Sequence, residues 1–292
     1  MPASLTELLD LLELEQLEVG LFRGRQPARS MMPRVFGGQV AAQAVVAAQQ
    51  TVPDDRHIHS LHIYFILGGD PSIPIIYDVE NVRDGGSFTT RRVAARQHGK
   101  IIFYMTASFQ VAESGFDHQD PMPVVPGPEE SIELGEIVKA RGGGNFDRWR
   151  DEWSSFDLRY VGDNRSEVEK QASSHLVVQR LWFRASGALP DEARLHNAAF
   201  TYISDFSLLG ASLVPHGIYI GDPRLQAASL DHVVWFHRPI KADEWLLYDQ
   251  SSPSASGARG LSLARVFDVS GTLVATAAQE GLIRPTAEVL HG

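Results

Sequence analysis

Short runs in which apolar and polar positions alternate cover most of the chain, separated by clusters of small turn residues. The stretch from Ser60 to Gln110 reads SLHIYFILGGDPSIPIIYDVENVRDGGSFTTRRVAARQHGKIIFYMTASFQ. Runs rich in Val, Ile, Phe and Tyr, bounded by Gly and Ser, predict strands joined by hairpins. The stretch from Ser229 to Gln279 repeats the layout. Both begin Ser-Leu, both end in Gln, and both ends lie 50 residues apart. An aromatic-rich strand comes first (Ile63 to Ile66; Val233 to His237), then a strand carrying Tyr-Asp (Tyr77-Asp78; Tyr248-Asp249). A small-residue turn follows (Asp84 to Ser87; Ser254 to Gly257), then a third strand, a Gly turn (His98-Gly99-Lys100; Ser270-Gly271-Thr272) and a closing strand.

The period changes upstream of each meander. Gly38 to Ala48 is an Ala-rich run, apolar nearly all round, which predicts a buried helix. Leu195 to Phe206 predicts its counterpart, and further strands are expected near Val19 to Arg23 and Leu176 to Arg184. Ser4 with Glu7 reads as a capping box opening a short amphipathic helix. A long antiparallel sheet around one buried helix is the hot-dog architecture. The expectation is therefore an α+β double hot dog, two tandem antiparallel sheets each wrapped around a central helix. Its divisions are 1–112, a connecting segment at 113–174 with little core of its own, and 175–292, which carries the chemistry. The connection holds Pro121, Pro123, Pro126 and Pro128, then Gly142-Gly143-Gly144. The alternative is a chance likeness between two amphipathic meanders.

Composition narrows the function classes. With 292 residues, 43% hydrophobic and 21% charged, the chain is long enough for two compact cores. It has no cysteine, which excludes disulfides and thiolate chemistry. A net charge of −10 argues against nucleic-acid binding. No basic residue precedes Arg23, no apolar run approaches the ~18 residues of a membrane span, and Leu290-His291-Gly292 is not a recognised targeting tail. The expected location is the cytoplasm, with no membrane partner.

Several chemistries lack their motifs. Gly210-Ala211-Ser212-Leu213-Val214 misses the second glycine of a nucleophile elbow, and neither a Walker loop nor a dinucleotide fingerprint occurs. The pairs His57/His59 and His232/His237 do not have a recognised metal spacing, so no metal and no cofactor are expected. Asp205 stands out, because a carboxylate in an apolar helical stretch is costly to bury unless it is employed. Ser229 starts the first strand of the second meander and Gln279 ends its last, so both can converge on Asp205. A carboxylate, a hydroxyl and an amide can together hold a water and take its proton. The plain alternative is a capping or helix-breaking Ser-Asp beside an unrelated Ser and Gln.

The strings Val35-Phe36-Gly37-Gly38-Gln39, Ser87 to Val93, Tyr202-Ile203-Ser204-Asp205-Phe206, Ser229-Leu230-Asp231-His232, Trp235-Phe236-His237-Arg238 and Ala278 to Arg284 resemble the acyl-CoA thioesterase II family, in order along nearly the whole chain. The resemblance implies a double hot dog whose catalytic Asp, Ser or Thr, and Gln fall on Asp205, Ser229 and Gln279. It implies an acyl-CoA substrate, with a homo-oligomer, a dimer or tetramer of double hot dogs, as the expected assembly. Gly37 and Gly38 are oxyanion-hole candidates, or they serve helix packing alone. Arg91, Arg92 and Arg259 are candidates for the CoA phosphates, or ordinary surface arginines. Two rivals stand beside hydrolysis: a hot-dog hydratase or dehydratase, and a non-catalytic acyl-CoA-binding or regulatory protein. One active site per chain is expected. The first repeat keeps Ser60 and Gln110 at the matching spacing, but Phe36 stands where an acid would be.

Overall fold

The computed structural model describes residues 1–28, 30, 32–141, 146–173 and 177–286. The Gly142-Gly143-Gly144 run, Leu176 and the tail Leu290-His291-Gly292 lie outside them. The first half runs α1 (Leu5–Leu12), β1 (Glu15–Glu18), β2 (Leu21–Gly24), α2 (Gly37–Gln49), β3 (His57–Phe65), β4 (Ile75–Asp84), β5 (Phe88–Gln97) and β6 (Lys100–Gln110). Then follow β7 (Ile132–Glu133), α3 (Leu134–Ala140), α4 (Phe146–Glu152), β8 (Phe156–Tyr160) and α5 (Glu167–Ala172). The second half runs β9 (Val177–Ala185), α6 (Ala193–Ser204), β10 (Leu225–Ser229), β11 (Asp231–Phe236), β12 (Leu246–Ser256), β13 (Arg259–Asp268) and β14 (Leu273–Pro285).

Each half is the expected meander against one buried helix. Strands β3 and β11 pair antiparallel, with Ile63 opposite His232, and this ladder merges the halves into one sheet of 14 strands among the described residues. Helices α2 and α6 pack on each other beneath it. Helix α2 is apolar apart from three glutamines, and Gln43 is held by its neighbours: it donates to the Leu11 and Arg25 carbonyls and accepts from the Tyr77 hydroxyl. Such satisfaction is what lets an amide sit in a core. At α1 half of the expected capping box forms: Ser4 Oγ accepts the Glu7 N–H at 3.1 Å, but the Glu7 carboxylate accepts from the Ala3 and Ala28 N–H groups instead of Ser4.

Three expectations change. The connecting segment carries core after all. Trp153, Phe156 and Leu158 are buried, and β8 extends the second half's sheet by pairing with β9, across the expected boundary at 174/175. Asp205 is not inside a helix but is the C-cap of α6. Ser229 ends a separate strand, β10, and Gln279 lies in the middle of β14, which runs on to Pro285. Strands β10 and β11 both pair with β14, and a one-residue shift of register separates them around Leu230, whose N–H still donates to the Glu280 carbonyl.

Candidate active site

The site forms where the halves meet, at the N-terminus of α2 and the C-terminus of α6. Two glycines make this possible. A Cβ on Gly38 would overlap the Tyr202 carbonyl oxygen, and one on Gly37 would lie 2.6 Å from Asp205 Oδ2 and 2.8 Å from the Phe65 ring. Bare backbone therefore touches the other half's helix end, and the Gly38 N–H donates to the Asp205 carboxylate. Of the two oxyanion candidates, Gly38 is thus occupied with Asp205 and only the Gly37 N–H remains.

The sheet brings in the partners. Gln279 Nε2 donates to Asp205 Oδ1 at 2.5 Å and to Ser229 Oγ at 3.1 Å, and Ser229 Oγ lies 3.5 Å from Asp205 Oδ1. The three residues named from sequence are thus one hydrogen-bonded cluster. Among the described residues Gln279 Oε1 is buried with no hydrogen-bond partner. With Asp205 ionised the amide does not turn over to satisfy it, because its oxygen would then face the carboxylate. A buried acceptor is thus left over in the cluster. Ser262, directly opposite Gln279 across the β13–β14 ladder, also has a buried and unpartnered hydroxyl.

Burial sets the electrostatics. Phe36 and Phe206, each adjacent to a site residue, are both edged by Trp153, with ring centroids 5.3 and 4.3 Å away. Excluding water destabilises the charged form, and this outweighs the bonds from Gln279, Gly38 and Ser229, so the Asp205 carboxyl is pushed up to about 7. Its place at a helix C-terminus adds no stabilisation for an anion. Trp153 was missed from sequence because it lies in the segment read as a connection. Its only signal was an aromatic residue in an otherwise acidic stretch.

The nearest histidine does not join the cluster. His232 Nε2 donates to Ser204 Oγ at 2.8 Å, because that hydroxyl spends its own proton on the Thr201 carbonyl. Burial lowers its pKa to about 3, so it is neutral. The arginine candidates do not come together. Arg91 is buried on the inner face and bonded to Thr51, Asp84 and the Arg83 and Thr90 carbonyls. It cannot reach a substrate phosphate, which removes it from that role. Arg92 and Arg259 lie on the outer face, ion-paired with Glu80 and Glu280.

A double hot dog with a buried carboxylate, hydroxyl and amide at the junction of its halves is the frame of a thioester-handling enzyme. Comparison with known proteins identifies which. Residues 154–282 match the model of the acyl-CoA thioesterase family, and residues 26–110 that of the acyl-CoA thioesterase N-terminal domain. The chain is 40% identical to human acyl-coenzyme A thioesterase 8 over 290 residues, covering 96% of this chain and 89% of that one. It is 38% identical to acyl-CoA thioesterase 2 of Haemophilus influenzae over 286 residues, covering 96% and 98%. The crystal structure of an acyl-CoA thioesterase II from Mycobacterium marinum superposes with a TM-score of 0.79 at 42% identity, over 96% of this chain and 98% of that one. The chain belongs to the acyl-CoA thioesterase family and is an acyl-CoA thioesterase.

Proposed function

We propose that the enzyme hydrolyses fatty acyl-CoA to fatty acid and CoA with a water activated by Asp205 and held by Ser229 and Gln279. The observation that carries this is a buried carboxylate poised near neutrality, bonded to a hydroxyl and an amide whose oxygen has no partner among the described residues. A base works best when its pKa lies near the working pH. The water donates one proton toward Asp205 and the other toward Gln279 Oε1. Its oxygen attacks the thioester carbonyl while Asp205 takes the proton. The tetrahedral oxyanion needs donors aimed at it, and the Gly37 N–H at the start of α2 is the available one. The C–S bond then breaks, and the departing thiolate recovers the proton from Asp205.

A hydratase or dehydratase would set a histidine against a carboxylate. His232 bonds the Ser204 hydroxyl and not a carboxylate, which favours hydrolysis. A binding protein would have no use for a desolvated base. We further propose a cytoplasmic enzyme of fatty-acid metabolism that assembles as a dimer or tetramer. Among the described residues no helix is long and apolar enough to cross a membrane. Tyr64, Trp235, Leu261 and Leu263 are exposed on the sheet's outer face, a surface suited to a second copy.

Free CoA released from palmitoyl-CoA, followed with a thiol reagent, tests the reading. Thiol should appear in step with free palmitate. Tight binding without turnover would leave the binding-protein reading standing.

A further inference from the structure

One open cleft of about 590 Å³ lies outside the catalytic cluster, lined by Arg34, Ile66, Leu67, Gly68, His98 and Lys100 among others. We propose that it seats the phosphates of coenzyme A; this rests on the thioesterase reading above. Four observations carry it.

The first is charge without partners. Most arginines and lysines here are ion-paired, yet the Arg34 and Lys100 side chains make no hydrogen bond or ion pair with any described residue. One carboxylate, Asp70, also lines the cleft; it is turned onto the Ser72 hydroxyl at 2.6 Å and backbone N–H at 2.8 Å and forms an ion pair with neither cation. In a protein of net charge −10, a polyanion needs such a local patch.

The second is construction. The Arg34 stem lies on Gly68, where an added Cβ would stand 2.6 Å from its Cδ. Gln97 forms a rigid floor by accepting from the Asp70 N–H and donating to the Asp70 and Ile73 carbonyls.

The third is the turn. The β5–β6 hairpin turns at His98 and Gly99, with φ of 49° and 72°, and so sets the His98 imidazole in the cleft wall beside the two cations as a further polar group.

The fourth is position. The Val35 N–H donates to the Gly69 carbonyl, so residues 34–37 run beside 65–69. One end of this pair is the cleft. The other is Gly37 with the Phe65 ring, against Asp205. Arg34 stands three residues from Gly37, at most ~11 Å of chain, which the pantetheine arm can bridge. The exposed Ile66 and Leu67 give the apolar part of the ligand a surface beside the cations.

The test uses R34E and K100E with three substrates: decanoyl-CoA, decanoyl-dephospho-CoA and decanoyl-pantetheine, which has neither the diphosphate nor the nucleotide. Each variant should raise KM for decanoyl-CoA about tenfold or more, the scale of a lost hydrogen bond to a charged group. The kcat should stay within twofold and decanoyl-pantetheine should be untouched. An effect shared by dephospho-CoA places the diphosphate in the cleft; one confined to CoA places the 3′-phosphate there. Equal effects on all three substrates, or none on any, overturn the proposal. Calorimetric titration with CoA itself separates the two readings. If the parent hydrolyses nothing, but CoA binds and the variants weaken it, the cleft stands and the thioesterase mechanism falls. No CoA binding, or binding indifferent to both variants, rejects the cleft.

Discussion

The two halves share one ladder but put different side chains on it. Tyr77 faces Ala95 across β4–β5 as Tyr248 faces Val266 across β12–β13. Four residues before each partner stand Arg91 and Ser262, and opposite these, on the closing strands, Ala107 and Gln279. Thus Arg91 and Ala107 occupy the places of Ser262 and Gln279. The ends of the helices differ in the same way. Where α6 ends, Asp205 meets the bare backbone of Gly37 and Gly38. Where α2 ends, the gap is plugged. Arg91 binds the Thr51 hydroxyl and carbonyl, and Arg194 from the start of α6 binds the Val52 and Pro53 carbonyls. Cations suit a helix C-terminus, and there they satisfy carbonyls the helix leaves free. One junction is built for stability. The other holds a carboxyl where an anion is uncomfortable, and the base role proposed for Asp205 rests on that.

The largest effect should come from closing the open junction. Gly38→Ala puts a methyl group into the Tyr202 carbonyl, backbone against backbone, with the Phe36 ring on its other side. Neither helix can withdraw without unpacking the other, so a loss of about 3 kcal/mol or more is expected. Chemical denaturation measures it. A soluble, active Gly38→Ala protein of unchanged stability would mean that the helices do not approach this closely.

Next comes the acid itself. Asp205→Asn should lower kcat at least ~10²-fold, the scale of a lost general base. Parent activity should rise as pH climbs through about 7, when Asp205 ionises. Stability should run the other way. The folded value is raised above 3.8, so the contribution of this group is full below that pH and is lost as pH rises through about 7. At pH 8 the Asn variant should therefore be the more stable, by up to roughly 4 kcal/mol. Melting curves of the two proteins at pH 5 and pH 8 check the sign. A parent that gains on the variant with rising pH would show that the carboxylate is well solvated.

The plugged junction should behave oppositely. Arg91→Met leaves the Thr51 and Arg83 carbonyls without their donor and should cost roughly 2–3 kcal/mol. Because Arg91 touches no part of the active cluster, kcat should stay within a few fold. Denaturant midpoints and steady-state rates on the same samples separate the two. A large fall in kcat in the folded variant would restore Arg91 to the substrate site.

Much of this was legible in the chain. The meanders and both helices follow from periodicity and turn residues; one acid in an apolar stretch singled out Asp205 with Ser229 and Gln279 in reach, and the family resemblance tipped the reading toward a catalytic cluster. Other features were not legible, for reasons of geometry. Arg91 looked like a surface cation because charge is visible in a sequence and strand parity is not. Residues 134–160 looked like a linker because their apolar positions are few and form a core only once laid against β9. Trp153 acts through two phenylalanines far away in sequence. The register shift around Leu230, which sets Ser229 on its own strand, has no turn signal at all.

The smallest effect is expected at Ser60 and Gln110, the residues that repeat the Ser229-to-Gln279 spacing. The ladder shows why equal spacing misleads. Side chains alternate faces along a strand, so an offset wrong by one residue turns the side chain to the other side of the sheet. The register shift in β3 between Ile58 and Ser60, and the one around Leu230, change the offset from strand to strand. Gln279 is buried on the helix face. Gln110 follows the buried Phe109 and points the other way, donating to Glu113 at 2.8 Å near the surface. Ser60 likewise lies on the face opposite Leu61, beside Ser108. Neither can reach the end of α2, and that end is filled by Arg91 in any case. Ser60→Ala and Gln110→Ala should thus change stability by no more than ~0.5 kcal/mol and leave kcat within a few fold. Active-site titration should count one site per chain. Two sites, or inactivation by Gln110→Ala in a folded protein, would mean that the first half carries chemistry of its own and that the division between the two junctions is wrong.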